Sequence, residues 1–222
     1  MTNENKFIPY KTSNFSAEEL IEKSQKYFQK INKRRSVRDF SDKEVPKEVI
    51  ENIIKTAGSA PSGAHKQPWT FCVISNKELK SKIRKLAEEE EYENYHGRMS
   101  DSWKADLKDF GTDHIKEFLE VAPYLIVVFK KVFDLDEDDN KSQNYYVNES
   151  VGIACGFLIT AIHQAGLVTL THTPSPMGFL QKALARPKNE KAFLLLPVGY
   201  PAKGCKVPDL KRKDLNEISF WF

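Results

Sequence analysis

The spacing of apolar and polar residues in the N-terminal quarter of the chain predicts two amphipathic helices. Ser16 and Glu19 have the spacing of a capping box, and apolar residues at helical intervals follow over residues 20–31. A second helical stripe, with intervals of three and four, runs over residues 49–54, and this helix is expected to end near Gly58. The pattern therefore predicts a pair of helices ahead of the first strand.

Further along, apolar runs alternate with helical patterns. A charged helix is predicted over residues 78–93, and a long helix that is hydrophobic nearly all round is predicted over about 146–166. Residues 94–111 show little apolar periodicity, and the acidic stretch 134–144 predicts a surface loop. The predicted strands are WTFCVIS (69–75), APYLIVVFK (122–130), LVTLTHT (167–173) and KAFLLLPVGYP (191–201).

This order of elements predicts an α+β fold in which helices flank a sheet. The sequence has no G-x-G-x-x-G turn, no P-loop and no internal repeat, so a doubly wound Rossmann sheet is not expected. With 222 residues, of which 40% are hydrophobic, the chain is long enough for one sizeable core. We expect a single domain over residues 1–222.

Charge and cysteine content narrow the function classes. The net charge is only +3, and basic residues are interleaved with acidic ones, so a nucleic-acid partner is not expected. The three cysteines have no C-x-x-C spacing, which favours a reducing compartment over disulfides or a zinc site. The start of the chain is polar, and the apolar run 151–162 is too short to cross a bilayer. We expect a cytoplasmic form without a membrane anchor.

The segment KRRSVRDF carries the first candidate chemistry. Arg34, Arg35 and Arg38 surround Ser36, and arginine forks with a hydroxyl suit a phosphate group. An ordinary basic surface turn has the same composition, so the pattern alone leaves both interpretations open. A second basic group at residues 211–213 would strengthen the phosphate interpretation if both reached one site.

Other candidate features point to a bound organic cofactor. The loop 60–65 is rich in small residues that allow close backbone approach, and Thr173 stands at the end of a predicted strand. No G-x-S-x-G, H-E-x-x-H or metal-ligand spacing occurs, and the five histidines are scattered. A cofactor that performs the electron chemistry is therefore favoured over a protein nucleophile or a metal.

The stretch AEEEEYENYHGRM (87–99) is either a solvated helix face or a binding segment. In a helix, Glu91 and Tyr95 lie on one face, whereas Glu89 and Glu93 repel each other. Ordering such a segment costs about 1–2 kcal/mol per residue, so we expect order only where a partner compensates. This behaviour would suit a lid over a site.

Four segments together resemble the flavin-dependent nitroreductase superfamily, and within it the iodotyrosine deiodinases. The subfamily resemblance rests on EEEEYENYHGRM (88–99) and IKEFL (115–119), which ordinary nitroreductases lack, and the whole resemblance covers about residues 32–218. The four segments are RRSVRDF (34–40), VPKEVIENIIKTAGSAPSGAHKQPWTF (45–71), NESVGIACGFLITAIHQAGLVT (148–169) and LLLPVGYPAKGCKVPDLKRK (194–213).

The resemblance implies a mixed, mostly antiparallel sheet in an intertwined homodimer, with FMN at the subunit interface. It implies a lid over about 88–112 and a C-terminal extension over about 204–222 that wraps the partner. Arg212 is expected to reach the phosphate from the other subunit, and the Thr173 hydroxyl to donate to flavin N5 and support one-electron steps. The residues implied to hold FMN are Arg34, Arg35, Ser36, Val37, Arg38, Ser62, Thr171, His172, Thr173 and Arg212.

The resemblance also implies a halotyrosine substrate. Glu91 is expected to accept from its ammonium, Lys116 to pair with its carboxylate and Tyr95 to hydrogen-bond between them. The backbone N–H of Ala64 is expected to meet the phenolate. His172 departs from the family pattern, which has threonine there, so the contact just before Thr173 is left open.

The implied reaction is FMN-dependent reductive dehalogenation, which converts 3-iodo-L-tyrosine to tyrosine and iodide and also acts on bromo and chloro analogues. Its electrons are expected from an unidentified, NADP-linked reductant or reductase. Two alternatives share the scaffold: a general NAD(P)H-dependent nitro or quinone reductase, and a non-catalytic flavin or amino-acid binding protein. The reductase would not need a pair of opposite charges that binds a zwitterion. The binding protein would bind its ligand but would release no halide.

Overall fold

The structure is a computed structural model, which describes residues 7–136, 138 and 140–222. It contains helices and strands in alternation, as the sequence predicts. The helices are α1 (Ala17–Asn32), α2 (Lys47–Gly58), α3 (Lys77–Glu93), α4 (Asp101–Lys108), α5 (Phe118–Val121), α6 (Val147–Gln164), α7 (Gly178–Ala183) and α8 (Leu215–Ile218). The strands are β1 (Trp69–Ile74), β2 (Tyr124–Lys131), β3 (Phe133–Leu135), β4 (Lys141–Gln143), β5 (Val168–Thr169) and β6 (Glu190–Gly199).

The chain divides into two compact units, Met1–Arg34 and Arg35–Phe222. The described part of the first unit contains α1, which begins with the predicted capping box of Ser16 and Glu19. None of the residues of α1 is buried, although its stripe includes large apolar side chains such as Tyr27 and Phe28.

The second unit is built on a four-stranded sheet in the order β1-β2-β6-β5, with every neighbouring pair antiparallel. A single parallel bridge joins Ser36 to Thr169 at the β5 edge. The central strand β2 pairs with β6 along its whole length and with β1 from Leu125 to Lys130. Its register with β6 shifts between Val128 and Phe129. The predicted α+β class with a mostly antiparallel sheet is confirmed.

Both faces of the sheet are covered by helices. Ile126 and Val128 of β2 pack into a core with α2 and α6, whereas Leu125, Val127 and Phe129 pack into a second core with α3, α5 and α7. Successive side chains of a strand point to opposite faces, and here both faces are apolar. This explains why β2 is an unbroken hydrophobic run in the sequence.

Two irregular segments contain regular structure, and the loop prediction for the second of them was wrong. Residues 94–111, which show little apolar periodicity in the sequence, contain α4, which is capped by Ser100 and has no buried residue. The predicted loop 134–144 contains part of β3 and all of β4, paired as a hairpin; Glu137 and Asp139 lie outside the described residues. Both elements lack an apolar face toward a core, so apolar periodicity could not reveal them.

One further prediction needs correction. The strand predicted over 167–173 is regular only at Val168–Thr169, although a bridge between His172 and Leu195 continues the pairing. The helix α6 is apolar on most sides, but Ile153 and Phe157 remain exposed, 44% and 41% respectively. In the part of the chain that the structure describes, no helix is long and apolar enough to cross a membrane.

Candidate active site

The arginine-rich segment lies beside the strand that leads to Thr173. The Val37 N–H donates to the Thr169 carbonyl oxygen at 3.2 Å, beside the parallel bridge between Ser36 and Thr169. This pairing aligns predicted cofactor residues 36–38 with the start of the segment that carries residues 171–173. Two groups of predicted site residues that are far apart in sequence are thus brought to one sheet edge.

The side chains of residues 171–173 alternate between two faces. The backbone of His172 pairs with Leu195 in both directions, with N–O distances of 2.9 and 3.0 Å, and fixes this segment as extended chain. Thr171 and Thr173 are exposed, whereas His172 is only 7% exposed. The two hydroxyls therefore face the open side of the sheet edge, and the imidazole faces the core.

His172 is a buried neutral imidazole. Its ring meets the edge of Phe118 at 5.6 Å between ring centroids, and its Nε2 atom has no hydrogen-bond partner among the described residues. Burial, together with the positive charges of Lys116 and Arg38, lowers the pKa of His172 to about 3. The ring consequently adds no charge to a site that already holds two cations.

Glu91 and Lys116 form a buried ion pair at the base of the predicted lid. The Lys116 Nζ lies 3.5 Å from the Glu91 Oε2, and the two residues are only 3% and 8% exposed, respectively. Burial raises the pKa of Glu91 and lowers the pKa of Lys116, while their mutual attraction opposes both shifts. Burial of the pair costs free energy, so a ligand that brings an opposite charge to either group stabilises that group.

Tyr95 and Arg38 belong to the same electrostatic cluster. Burial raises the pKa of the half-buried Tyr95 phenol, and Arg38 is close enough to oppose that shift. Burial also lowers the pKa of Arg38. The Lys116 Nζ lies 5.7 Å from the centre of the Tyr95 ring. The structure therefore brings the predicted substrate residues Glu91, Tyr95 and Lys116 close to the predicted cofactor residue Arg38.

Local structure explains how Glu91 reaches this position. The helix α3 is capped by the Asn76 side chain and ends at Glu93, where a π-helical turn, Asn94–Arg98, follows. The Asn94 Nδ2 donates to the Ser175 carbonyl oxygen at 3.0 Å and holds this turn against the body. Such wide turns recur at functional sites because they redirect side chains. Here the last turn of α3 points one of its glutamates inward.

The loop with Ser62 and Ala64 is strained but lies against a different part of the chain. Ala64, His65 and Gln67 all have positive φ angles, between 47° and 55°. The Gly63 N–H donates to the Ser150 Oγ at 3.2 Å. A Cβ at Gly63 would lie 2.9 Å from the Tyr145 carbonyl oxygen, so glycine is required there. These contacts hold the loop at the start of α6 and not in the Glu91–Lys116 cluster.

The remaining predicted cofactor residues lie near the boundaries of the units and in the tail. A guanidinium nitrogen of Arg35 donates to the Pro208 carbonyl oxygen, which joins the arginine segment to the C-terminal extension of the same chain. Arg34 ends the first unit, and its N–H donates to the Ile31 carbonyl oxygen at 3.0 Å. Arg212 is exposed. Their predicted contacts with FMN stay predictions.

The structure adds residues that the sequence analysis missed. The Tyr95 hydroxyl donates to the Thr112 carbonyl oxygen at 3.1 Å, and Lys116 donates to the Thr112 Oγ1 at 3.2 Å and to the Asp113 carbonyl oxygen. Arg38 lies over the Phe110 ring, 5.9 Å from its centre. Backbone carbonyls leave no mark in a sequence. The only hint in the sequence was Phe110, a single aromatic residue in a polar stretch.

Comparisons with known proteins show the family of the chain. The family model described as the nitroreductase family matches residues 31–200. The iodotyrosine deiodinase of Haliscomenobacter hydrossis is 64% identical over 208 residues, which are 94% of this chain and 94% of that protein. Human iodotyrosine deiodinase 1 is 50% identical over 212 residues, 95% of this chain and 73% of the human protein.

A solved structure is similar over most of the fold. The crystal structure of oxidized iodotyrosine deiodinase bound to FMN and 3-iodo-L-tyrosine matches with a TM-score of 0.76 and 28% identity, and the match covers 88% of this chain and 100% of that chain. The chain therefore belongs to the nitroreductase family of flavin enzymes and, within that family, to the iodotyrosine deiodinases.

Proposed function

We propose that the protein is an FMN-dependent enzyme that removes iodide reductively from 3-iodo-L-tyrosine and also accepts bromo and chloro analogues. The buried pair of Glu91 and Lys116 is the observation that carries this proposal. A free amino acid has an ammonium and a carboxylate on one carbon, and the pair offers one group of opposite charge to each. The similarity to deiodinases supports the same assignment.

The substrate is placed by charge. Its ammonium binds Glu91, its carboxylate binds Lys116, and the Tyr95 hydroxyl bridges them at the rim of the site. A substrate that enters between Glu91 and Lys116 replaces their mutual contact by two charge-assisted contacts, each worth about 1.5–3 kcal/mol. No buried charge is then left uncompensated. Because Glu91 and Lys116 lie near the two ends of the lid, a substrate that contacts both residues also holds the lid closed.

The residues at the sheet edge fit FMN. The arginine segment offers forks for a phosphate, the Thr171 and Thr173 hydroxyls are exposed beside it, and His172 holds an unpartnered nitrogen just behind them. When bound and reduced, FMN would supply two electrons, which together with one proton replace the carbon–iodine bond by a carbon–hydrogen bond and release iodide. In this proposal the protein groups bind and orient the substrate, and the Thr173 hydroxyl, which is exposed, donates to the flavin ring.

We propose that the site is completed in a homodimer. The exposed apolar side chains of α1, of α6 and of the C-terminal aromatics need cover, and Phe220, Trp221 and Phe222 are each more than 80% exposed. The loop that carries Ser62 and Ala64 is held at the start of α6 by the hydrogen bond from the Gly63 N–H to the Ser150 Oγ. A partner subunit that contributes this loop, its tail and Arg212 would supply the missing contacts, including the Ala64 N–H for the phenolate.

We propose a cytoplasmic enzyme that draws electrons from an NADP-linked reductant or reductase. The three cysteines are free thiols, as expected in a reducing compartment. Burial raises the pKa of the Cys155 thiol to about 12, so that thiol stays protonated and unreactive.

Substrate preference tests the proposal against a general nitro or quinone reductase. Titration of flavin fluorescence should show binding of 3-iodo-L-tyrosine that is at least about tenfold tighter than binding of 2-iodophenol, because the phenol lacks the zwitterion. Steady-state turnover should prefer halotyrosines over nitroaromatics by the ratio of kcat/KM. Equal binding of the two iodinated compounds together with faster nitroaromatic turnover would overturn the deiodinase assignment.

A further inference from the structure

Three residues of the proposed site also hold one short segment of chain. This segment, residues 110–113, joins the end of α4 to the stretch that carries Lys116, and we call it the return limb. Arg38 faces its Phe110 ring, Tyr95 donates to the carbonyl oxygen of Thr112, and Lys116 donates to Thr112 and Asp113. The return limb is therefore tied to three residues with proposed ligand contacts, in addition to its local hydrogen bonds with Leu107, Lys108 and Ile115.

The outer part of the lid has little else to hold it. The helix α4 has no buried residue, and its aromatic Trp103 is 51% exposed. Gly111 follows Phe110 with a φ of +55°, a conformation that lets the chain turn sharply there. An element with so few buried apolar contacts opens at low cost in free energy. Its position depends on the contacts at its two ends.

Phe110 makes the contact at the far end. Its side chain is half-buried, and its ring centre lies 5.9 Å from the Arg38 guanidinium carbon. Arg38 is itself half-buried, so the attraction between the cation and the ring is less screened than at an open surface. The ring also covers a cation whose positive charge lowers the pKa of both Lys116 and His172.

We propose that Phe110 is a positioning residue that latches the lid closed on Arg38, so that the cofactor side and the substrate side of the site are coupled through one guanidinium. This inference rests on the proposed function, because it takes Arg38 as a cofactor contact. In the latched state, Phe110 fixes the start of the return limb. Thr112 and Asp113 then present their oxygens to Tyr95 and Lys116, and both side chains are set for the amino-acid end of the substrate.

The latch predicts a specific pattern of hydrogen exchange in the FMN-loaded protein. Replacing Phe110 by leucine keeps an apolar side chain and removes the ring. In Phe110→Leu, amides of residues 94–113 should exchange about 3- to 10-fold faster than in the wild type, without ligand as well as with 3-iodo-L-tyrosine. The KM for 3-iodo-L-tyrosine should rise by a similar factor while kcat changes little.

Two variants separate the latch from general loosening. Phe110→Trp keeps a ring that binds cations well and should restore both the exchange rates and the KM. Trp103→Leu removes an exposed aromatic from the same lid and should leave both unchanged. Unchanged exchange in Phe110→Leu, or a tryptophan variant that exchanges as fast as the leucine variant, would overturn the latch.

The ligand-free comparison keeps this test separate from the proposed function. If the wild type binds no 3-iodo-L-tyrosine, the deiodinase assignment fails, and the exchange of residues 94–113 in FMN-loaded protein without ligand still decides whether Phe110 holds the lid. If the wild type binds the amino acid but Phe110→Leu exchanges normally, the latch alone is refuted.

Discussion

The Lys116 ammonium lies 3.5 Å from the Glu91 carboxylate, and both side chains are almost fully shielded from solvent. Lys116 has two further partners, Thr112 and Asp113, whereas Glu91 depends on Lys116. A buried carboxylate with one counter-charge is poorly compensated. The ammonium of a zwitterionic amino acid would give the Glu91 carboxylate a second counter-charge. This explains how a glutamate-rich helix can bind a small molecule.

Removing one partner of this pair should weaken substrate binding strongly. Glu91→Gln leaves the Lys116 charge buried without its carboxylate and removes the acceptor for the substrate ammonium. We expect 3-iodo-L-tyrosine to bind about 2 kcal/mol more weakly or worse, measured by flavin-fluorescence titration. Glu93→Gln, an exposed change two residues along the same helix, serves as the control and should bind like the wild type.

A double-mutant cycle tests whether the two groups act as a pair. Lys116→Met should also weaken binding, and the double variant with Glu91→Gln should lose less than the sum of the two single losses, because neither charge is then left buried alone. Strictly additive losses would show that Glu91 and Lys116 contact the substrate independently, and unaltered affinity in Glu91→Gln would remove this residue from the site.

Substrate affinity should depend on pH through Glu91. Burial raises the pKa of this carboxyl above its ordinary value of 4.5, and only the ionised form attracts the substrate ammonium. As the pH falls through the raised pKa, the carboxylate is protonated and affinity is lost, starting at a higher pH than for an exposed glutamate. Isothermal titrations from neutral to acid pH should show this decline in the wild type and a flatter profile in Glu91→Gln. A decline of equal size in both proteins would assign the effect to another group.

Stability on the acid side should depend on His172. Its pKa is about 3 in the folded protein and 6.5 in the unfolded chain, so the unfolded chain binds the proton first. The stability contributed by the neutral ring is present above pH 6.5 and is lost as the pH falls from 6.5 toward about 3. Between pH 6.5 and 5 the loss from this group is about 1.5 kcal/mol.

The variant His172→Gln should lack this share of the acid destabilisation, because glutamine does not titrate. Urea unfolding at the two pH values, with both proteins, gives the difference directly, since all other titrating groups are common to both. A wild type and a variant that lose the same free energy of unfolding would show that His172 titrates normally and that its surroundings are wetter than the structure indicates.

Particular elements show which parts of the fold the sequence predicts and which parts it does not. The capping box at Ser16 and the apolar run of β2 predicted their elements because each has a direct local signal, a side chain that caps a helix or a strand buried on both faces. The helix α4 has no buried face, so no apolar period marked it. Glu91, Tyr95 and Lys116 were placed by resemblance, and only the fold shows why they meet: a π-helical turn and a returning segment bring them together.

Dimerisation should be sensitive to the exposed face of α6. Phe157→Arg places a charge beside the exposed Ile153, and we expect it to yield monomers that lose FMN, because the cofactor site is proposed to need both subunits. Sedimentation velocity and the FMN content of the purified protein measure the two effects. Val73→Arg, on the edge strand β1 with an equally exposed apolar side chain, is the matched control and should remain dimeric. A dimeric Phe157→Arg protein with full FMN content would place the interface elsewhere.

The most direct test of the central claim is halide release in a single turnover without oxygen. The FMN-loaded protein is reduced chemically, mixed with 3-iodo-L-tyrosine, and assayed for iodide, tyrosine and oxidised flavin. Two electrons and one proton convert the carbon–iodine bond to a carbon–hydrogen bond and release iodide, so reductive dehalogenation predicts one iodide and one tyrosine for each FMN oxidised. Tight binding of 3-iodo-L-tyrosine with flavin that stays reduced and no iodide would contradict it and would indicate a protein that binds halotyrosines without turning them over.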